Sequence, residues 1–120
     1  MPPGLVYKRG DVILVLFPNS DLRTAKTRPA LVVQADQLGT GLPQVVVAMI
    51  SSRMFRAGHP SRVTIRLDSA IGRQSGLLAD SVVMTDNLAT VLESAIGDLI
   101  GTLPMAEVDR ALKHTLGMQG

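Results

Sequence analysis

The sequence predicts a mainly β protein, a small barrel with one C-terminal α-helix. Three observations carry this. Short β-forming apolar runs recur along most of the 120 residues, separated by turn clusters rich in Gly, Pro, Asn and Asp. Only the last fifteen or so residues change to a helical period. The chain has no internal repeat, no linker and almost no aromatic residues, so residues 1–120 read as one domain with an aliphatic core.

Residues 12–17 form an apolar run that stops at the turn cluster Pro18-Asn19-Ser20-Asp21. A basic loop then leads to a second strand over residues 30–34, after Pro29. Residues 38–43, with Gly39 and Gly41, make a turn. Residues 44–50 are apolar throughout, as expected of a central strand. Residues 53–60 are a basic loop, and residues 62–67 alternate so that Val63, Ile65 and Leu67 face inward. A Gly-containing loop is expected over residues 70–80, a short strand over 81–85, a helical turn over 86–94 and a last strand over 96–103. Met105, Val108, Leu112 and Leu116 then mark one helical face, with Pro104 at the first turn. Glu107 and Asp109 lie early in this helix and Lys113 and His114 late, which suits the helix dipole, and Gly117 is a natural stop.

Composition narrows the function. The hydrophobic fraction is 46%, so the chain is not disordered. It holds no Cys, which removes disulfides, Cys-type zinc sites and thiol catalysis together. His59 and His114 are its only histidines, too few for a convincing metal cluster. No apolar run nears a membrane span and the first residues lack a signal-peptide region, so a cytoplasmic protein is expected. Net charge is +2, but residues 1–73 hold ten basic against four acidic residues, and residues 74–120 two against six. Nine of the twelve basic residues are Arg. An Arg-rich half suits an anionic partner such as nucleic acid. With one Tyr and two Phe, phosphate contacts must outweigh base stacking. The alternative is ordinary surface charge.

The segment Lys26-Thr27-Arg28-Pro29-Ala30-Leu31-Val32-Val33 places an arginine where the second strand is expected to begin. The residue before proline is pushed to extended geometry, so Arg28 is held in one orientation. A guanidinium pinned beside a sheet fits a phosphate-handling site. The plainer alternative is a solvated loop whose arginine pairs with a carboxylate.

The order of segments resembles the MazF/PemK family of toxin endoribonucleases. The likeness lies in Arg9-Gly10-Asp11-Val12, in Phe17-Pro18 with the basic loop, and in Lys26 to Val32. It continues in residues 45–52, in Asp80 to Asn87 with Thr90, and in the tail from Ile100 to Gly117. It implies an SH3-like small β-barrel (CcdB/PemK-like) with a C-terminal helix, working as a homodimer. It implies metal-independent cleavage of single-stranded RNA, often messenger RNA, with no cofactor. A cognate antitoxin with an acidic, disordered C-terminal segment is implied as the partner.

By that resemblance Arg28 and Ser51 are the catalytic pair, Ser51 standing where the family usually has Thr. Guanidinium does not deprotonate readily, so Arg28 is expected to stabilise charge on the phosphate. Ser52 follows directly and could take the hydroxyl role, since neighbours on a strand face opposite ways. Arg23, Lys26, Thr27, Ser52, Arg53, Arg56, Asp86 and Asn87 are the expected RNA-binding residues, with plain solubility the alternative for the basic ones. Met84 and Ala89 stand where members can carry Arg, so fewer RNA contacts are expected. A histidine pair can run acid–base cleavage of RNA, but His114 is placed on the terminal helix, far from His59. Two other readings keep the fold: a CcdB-like toxin that binds gyrase without nuclease activity, and an inactive pseudo-toxin that only binds antitoxin.

Overall fold

The computed structural model describes residues 7–18 and 21–118. Six strands form one antiparallel sheet: β1 (Asp11–Pro18), β2 (Ala25–Val32), β3 (Gln44–Ser51), β4 (Arg62–Ile65), β5 (Ser81–Leu92) and β6 (Ile96–Thr102). Their spatial order is β4-β5-β3-β2-β1-β6, so the apolar β3 is central, as its sequence predicts. A short helix, α1 (Ala70–Ser75), follows β4, and α2 (Ala106–Leu116) ends the chain. Asn19 and Ser20, the middle of the first expected turn, lie outside the described residues.

The sheet curls toward a barrel without closing, because no ladder joins β4 to β6. Register shifts supply the bend: β1 and β6 slip twice, and β5 carries extra residues opposite Ala48 and Met49. Such bulges raise local twist and coil a sheet. Alternation along β1–β3 sends one set of side chains to each face. Val12, Leu31, Ala48 and Ile50 join Val63, Ile65, Val83 and the α2 residues Val108 and Ala111 in the main core. Ile13, Val15, Ala30, Val32, Val45 and Val47 form a second core with Val91, covered by Tyr7, Phe17 and Ile96. Leu31 is fully buried, and burying such a side chain contributes about 1.5–3 kcal/mol.

Five expectations need correction. The basic stretch before Pro29 is strand, so Arg28 is the fourth residue of β2 rather than its first. Residues 70–80 contain α1, where Ser69 caps the helix by accepting from the Gly72 amide. Residues 53–60 contain a 3-10 turn at Met54–Arg56. The helical turn expected over 86–94 is instead the second half of β5, with only Glu93–Ala95 turning. On α2 the buried positions are Val108 and Ala111, with Met105 and Leu112 partly covered, whereas Leu116 is exposed beyond the core. The stop at Gly117 holds: it takes the left-handed conformation and its amide caps the helix.

Candidate active site

The site begins where β2 and β3 part. Their ladder runs Val32↔Val47, Leu31↔Ala48, Ala30↔Met49 and ends there, although β2 continues back to Ala25. The cause is Pro29. Val32 O accepts from Gly10 on the β1 side, and Val33 N donates to Val46 O on the β3 side. Odd residues of β2 therefore turn their backbone to β3, and at Pro29 there is no N–H to give. Continuing the register by two residues would set Arg28 opposite Ser51. Instead the strand ends splay, with Arg28 on one lip and Ser51 on the other.

Between them lies an open groove of about 1020 Å³, whose lining includes Lys26, Thr27, Arg28, Ser51, Ser52, Arg53, Arg56 and Asn87. Eight of the ten expected site residues thus share one depression. Arg23 does not line it, and neither does Asp86. Leu14, Phe17, Met49, Leu77, Leu78 and Ile100 add apolar surface that no sequence pattern places there. Gly76 shapes one margin. It ends α1 with φ of +72°, and a Cβ there would sit 1.9 Å from Ile100 O, so only glycine fits.

The groove is electrostatically one-sided. Among the described residues four cations line it and no Asp or Glu does. Arg28 is exposed and makes no ion pair among the described residues, so it is not the carboxylate-paired loop arginine of the plainer alternative. Arg56 rests on apolar and soft partners, its guanidinium 5.6 Å from the Phe55 ring centre and its Nη1 3.6 Å from Met84 Sδ. Met84 thus lines the groove where an Arg was conceivable, while Ala89 packs against the second core.

Both hydroxyls border the groove. β3 ends at Ser51, so strand alternation no longer separates Ser52 from it. Ser51 Oγ accepts from the Arg53 amide at 3.1 Å. This fixes the side chain and leaves its own O–H proton available to donate.

Asp86 and Asn87 owe their places to the break in β5. Ala48 pairs with Leu88 and Met49 with Met84, so Thr85, Asp86 and Asn87 have no partner on β3 and bulge out. Thr85 turns inward, fully buried, and its hydroxyl donates to Ser61 O and accepts from Thr115 Oγ1. Asn87 turns to the groove. Asp86 turns to Arg62, which donates from Nη2 to Oδ2 at 2.8 Å and from Nε to Oδ1 at 3.4 Å. These hydrogen bonds hold the Asp86 carboxyl below the usual carboxylate range and raise the Arg62 guanidinium. Asp86 is therefore engaged by Arg62 outside the groove lining, although each carboxylate oxygen keeps acceptor capacity. Arg62 was not legible in the sequence because the pair meets only across the β4–β5 ladder, where Asp86 lies two residues past Met84, the ladder partner of Arg62.

The histidines are also corrected. His59 and His114 are not apart: their rings meet edge-on, centroids 6.2 Å apart. Neither lines the groove. Among the described residues no three His, Cys, Asp or Glu gather as a metal-ligand set, and no helix is long and apolar enough to cross a membrane.

Residues 8–116 match the family model of the PemK-like, MazF-like toxin of type II toxin–antitoxin systems. The chain is 33% identical over 119 residues to endoribonuclease MazF6 of Mycobacterium tuberculosis (strain H37Rv), covering 95% of this chain and 100% of that protein. It is 30% identical to endoribonuclease EndoA of Bacillus subtilis (strain 168), covering 95% and 97%. The fold is shared with a mycobacterial endoribonuclease solved in complex with its cognate antitoxin, at a TM-score of 0.73, 20% identity, and coverage of 95% and 98%. The chain belongs to the PemK-like, MazF-like toxins of type II toxin–antitoxin systems, the endoribonuclease family of MazF6 and EndoA.

Proposed function

We propose that this toxin cuts single-stranded RNA, messenger RNA included, in the groove between the splayed ends of β2 and β3, using the RNA's own 2′-OH and no metal. The observation that carries this reading is that Arg28 and Ser51 line one groove with four cations and, among the described residues, no carboxylate. The 2′-oxygen attacks the adjacent phosphorus, the bond to the 5′-oxygen breaks, and the products are a 2′,3′-cyclic phosphate and a 5′-hydroxyl. Charge grows on the non-bridging oxygens, where the Arg28 fork and the Ser51 O–H donate. No His, Asp or Glu lines the groove to serve as general base. The 2′ proton therefore passes to water or to a phosphate oxygen, and water protonates the leaving 5′-oxygen. The same scarcity of donors speaks for a reaction without a metal.

Lys26, Arg53 and Arg56 hold flanking phosphates, and Thr27, Ser52 and Asn87 offer neutral hydrogen bonds to sugar or base. The reading extends to a homodimer, to the cytoplasm where RNA targets lie, and to a cognate antitoxin. An acidic, disordered antitoxin segment would fold onto the same cations and compete with RNA.

Incubating the purified chain with a long RNA in EDTA, then identifying the product ends, tests the reading. Cuts bearing 2′,3′-cyclic phosphate are expected. Intact RNA with poisoned gyrase would favour the CcdB-like reading, and intact RNA with antitoxin binding alone the pseudo-toxin.

A further inference from the structure

Arg62 lies outside the groove, yet it touches two segments that line it. Its Nη2 and Nε bond Asp86 on the β5 bulge, beside Asn87. Its Nη1 donates 3.1 Å to the backbone oxygen of Arg56, in the 3-10 turn after β3. Three faces of one guanidinium are thus used on partners from two different segments. The Arg62 and Asp86 side chains are only 24% and 31% exposed, so solvent screens this pair less than an ordinary surface pair. Neither segment is otherwise tied to the other by a ladder: the bulge has left β3, and the turn follows its end.

We propose that Arg62 is a positioning residue that sets the recognition wall of the groove. It locks the Asn87 bulge to the Arg56 turn, so that a base-reading amide and a phosphate-holding cation are presented at one fixed spacing. The proposal rests on the groove being the RNA site, and it adds a residue that touches no RNA. A guanidinium is required because its rigid fork reaches both partners, whereas a lysine ammonium is a point charge that holds one at a time. Loss of the clamp leaves the Arg56–Met84 contact between the turn and β5 but no longer fixes the spacing of the bulge and the turn. Selectivity among cleavage sequences then falls more than the chemical step, because Arg28 and Ser51 stand on strands that Arg62 does not touch.

The test compares Arg62→Ala, Arg62→Lys and Asp86→Asn with Arg110→Ala, which removes the same charge from an exposed position of α2. Amide hydrogen exchange is followed at residues 56–57 and 86–88, alongside cleavage of a long RNA. Arg62→Ala and Arg62→Lys are expected to speed exchange in both segments by about tenfold or more. Asp86→Asn should loosen the bulge and leave the turn protected, and Arg110→Ala should change neither. In both Arg62 variants the ratio of cutting at the preferred site to that at the next-best site should fall by about tenfold, the scale of one lost base contact, while kcat at the preferred site moves less. Wild-type exchange in either segment, or an unchanged site ratio, overturns the clamp. Wild-type behaviour of Arg62→Lys does so as well, since charge alone would then suffice. If Arg62→Ala does not fold, the lysine and Asp86→Asn variants decide. If the unaltered toxin cuts no RNA, the nuclease reading fails by itself, and the exchange pattern still decides whether Arg62 joins the two segments.

Discussion

Two sets of arginines share this fold and meet opposite fates. Arg9, Arg62 and Arg66 are each paired with an aspartate, Asp109, Asp86 and Asp80 respectively. Arg28, Arg53 and Arg56, with Lys26, line the groove and have no carboxylate partner among the described residues. Every paired arginine comes from the basic first half of the chain, and every partner from the acidic second half. Folding therefore pairs three of the ten basic residues of the first half with second-half aspartates and gathers four of the other seven in one groove. That place is where an RNA phosphate would be drawn. A charge count along the chain points to an anionic partner, but only the pairing pattern says which cations are free to meet it.

Exchanging members of the two sets separates their roles. Arg28→Ala is expected to slow RNA cleavage by at least about a hundredfold, the cost of losing one transition-state donor, with thermal unfolding unchanged. Ser51→Ala should also lose most of the activity and Ser52→Ala much less; single-turnover rates on a short RNA would show this. Lys26→Ala, Arg53→Ala and Arg56→Ala should weaken binding of a non-cleavable 2′-deoxy oligonucleotide. Each should also flatten the slope of log affinity against log salt by roughly 0.7. Anisotropy titrations at several salt concentrations would detect that change, and an unaltered slope would remove the residue from the groove contacts.

Arg9→Ala should do the reverse. Arg9 donates to Val33 O and to Asp109, joining the end of β2 to α2. Its loss should lower stability by about 1 kcal/mol without altering the salt slope.

The smallest effect concerns pH. The Asp80 carboxyl lies below its ordinary value because the Leu67 amide and then Arg66 donate to it, and Asp86 does so because of Arg62. Both groups bind protons more weakly folded than unfolded. Their contribution is therefore fully present above the unfolded carboxylate pKa of about 4 and fades only as pH falls through the lower folded values. Denaturant midpoints should be insensitive to these two groups between pH 7 and 5 and decline below about pH 4. Asp86→Asn should reduce the acid-side decline.

Much of this was legible in the sequence where local chemistry decided it. β1, β3, the later half of β2 and the α2 stop at Gly117 follow from apolar runs and turn residues. So do Arg28, held before Pro29, and the Ser51–Ser52 pair at the end of β3. The misses have physical causes. Residues 25–29 look like loop because this end of β2 is exposed and has left β3. α1 is six residues long with Gly72 inside it, too short to show a period, and its one sequence signal is the Ser69 cap. Residues 86–94 read as a helical turn, yet the strand resumes after the bulge. The Arg62–Asp86 clamp and the His59–His114 contact join residues far apart in sequence, which only strand register and helix docking bring together.

The most direct measurement is a side-by-side rate of RNA cleavage in EDTA for the unaltered toxin, Arg28→Ala and Arg66→Ala. These two substitutions remove one identical charge, the first from the groove and the second from a pair with Asp80 outside it. The expected result is a loss of about a hundredfold or more for Arg28→Ala and near-normal cleavage for Arg66→Ala. Equal losses, or normal cleavage by Arg28→Ala, would contradict the assignment of catalysis to the groove.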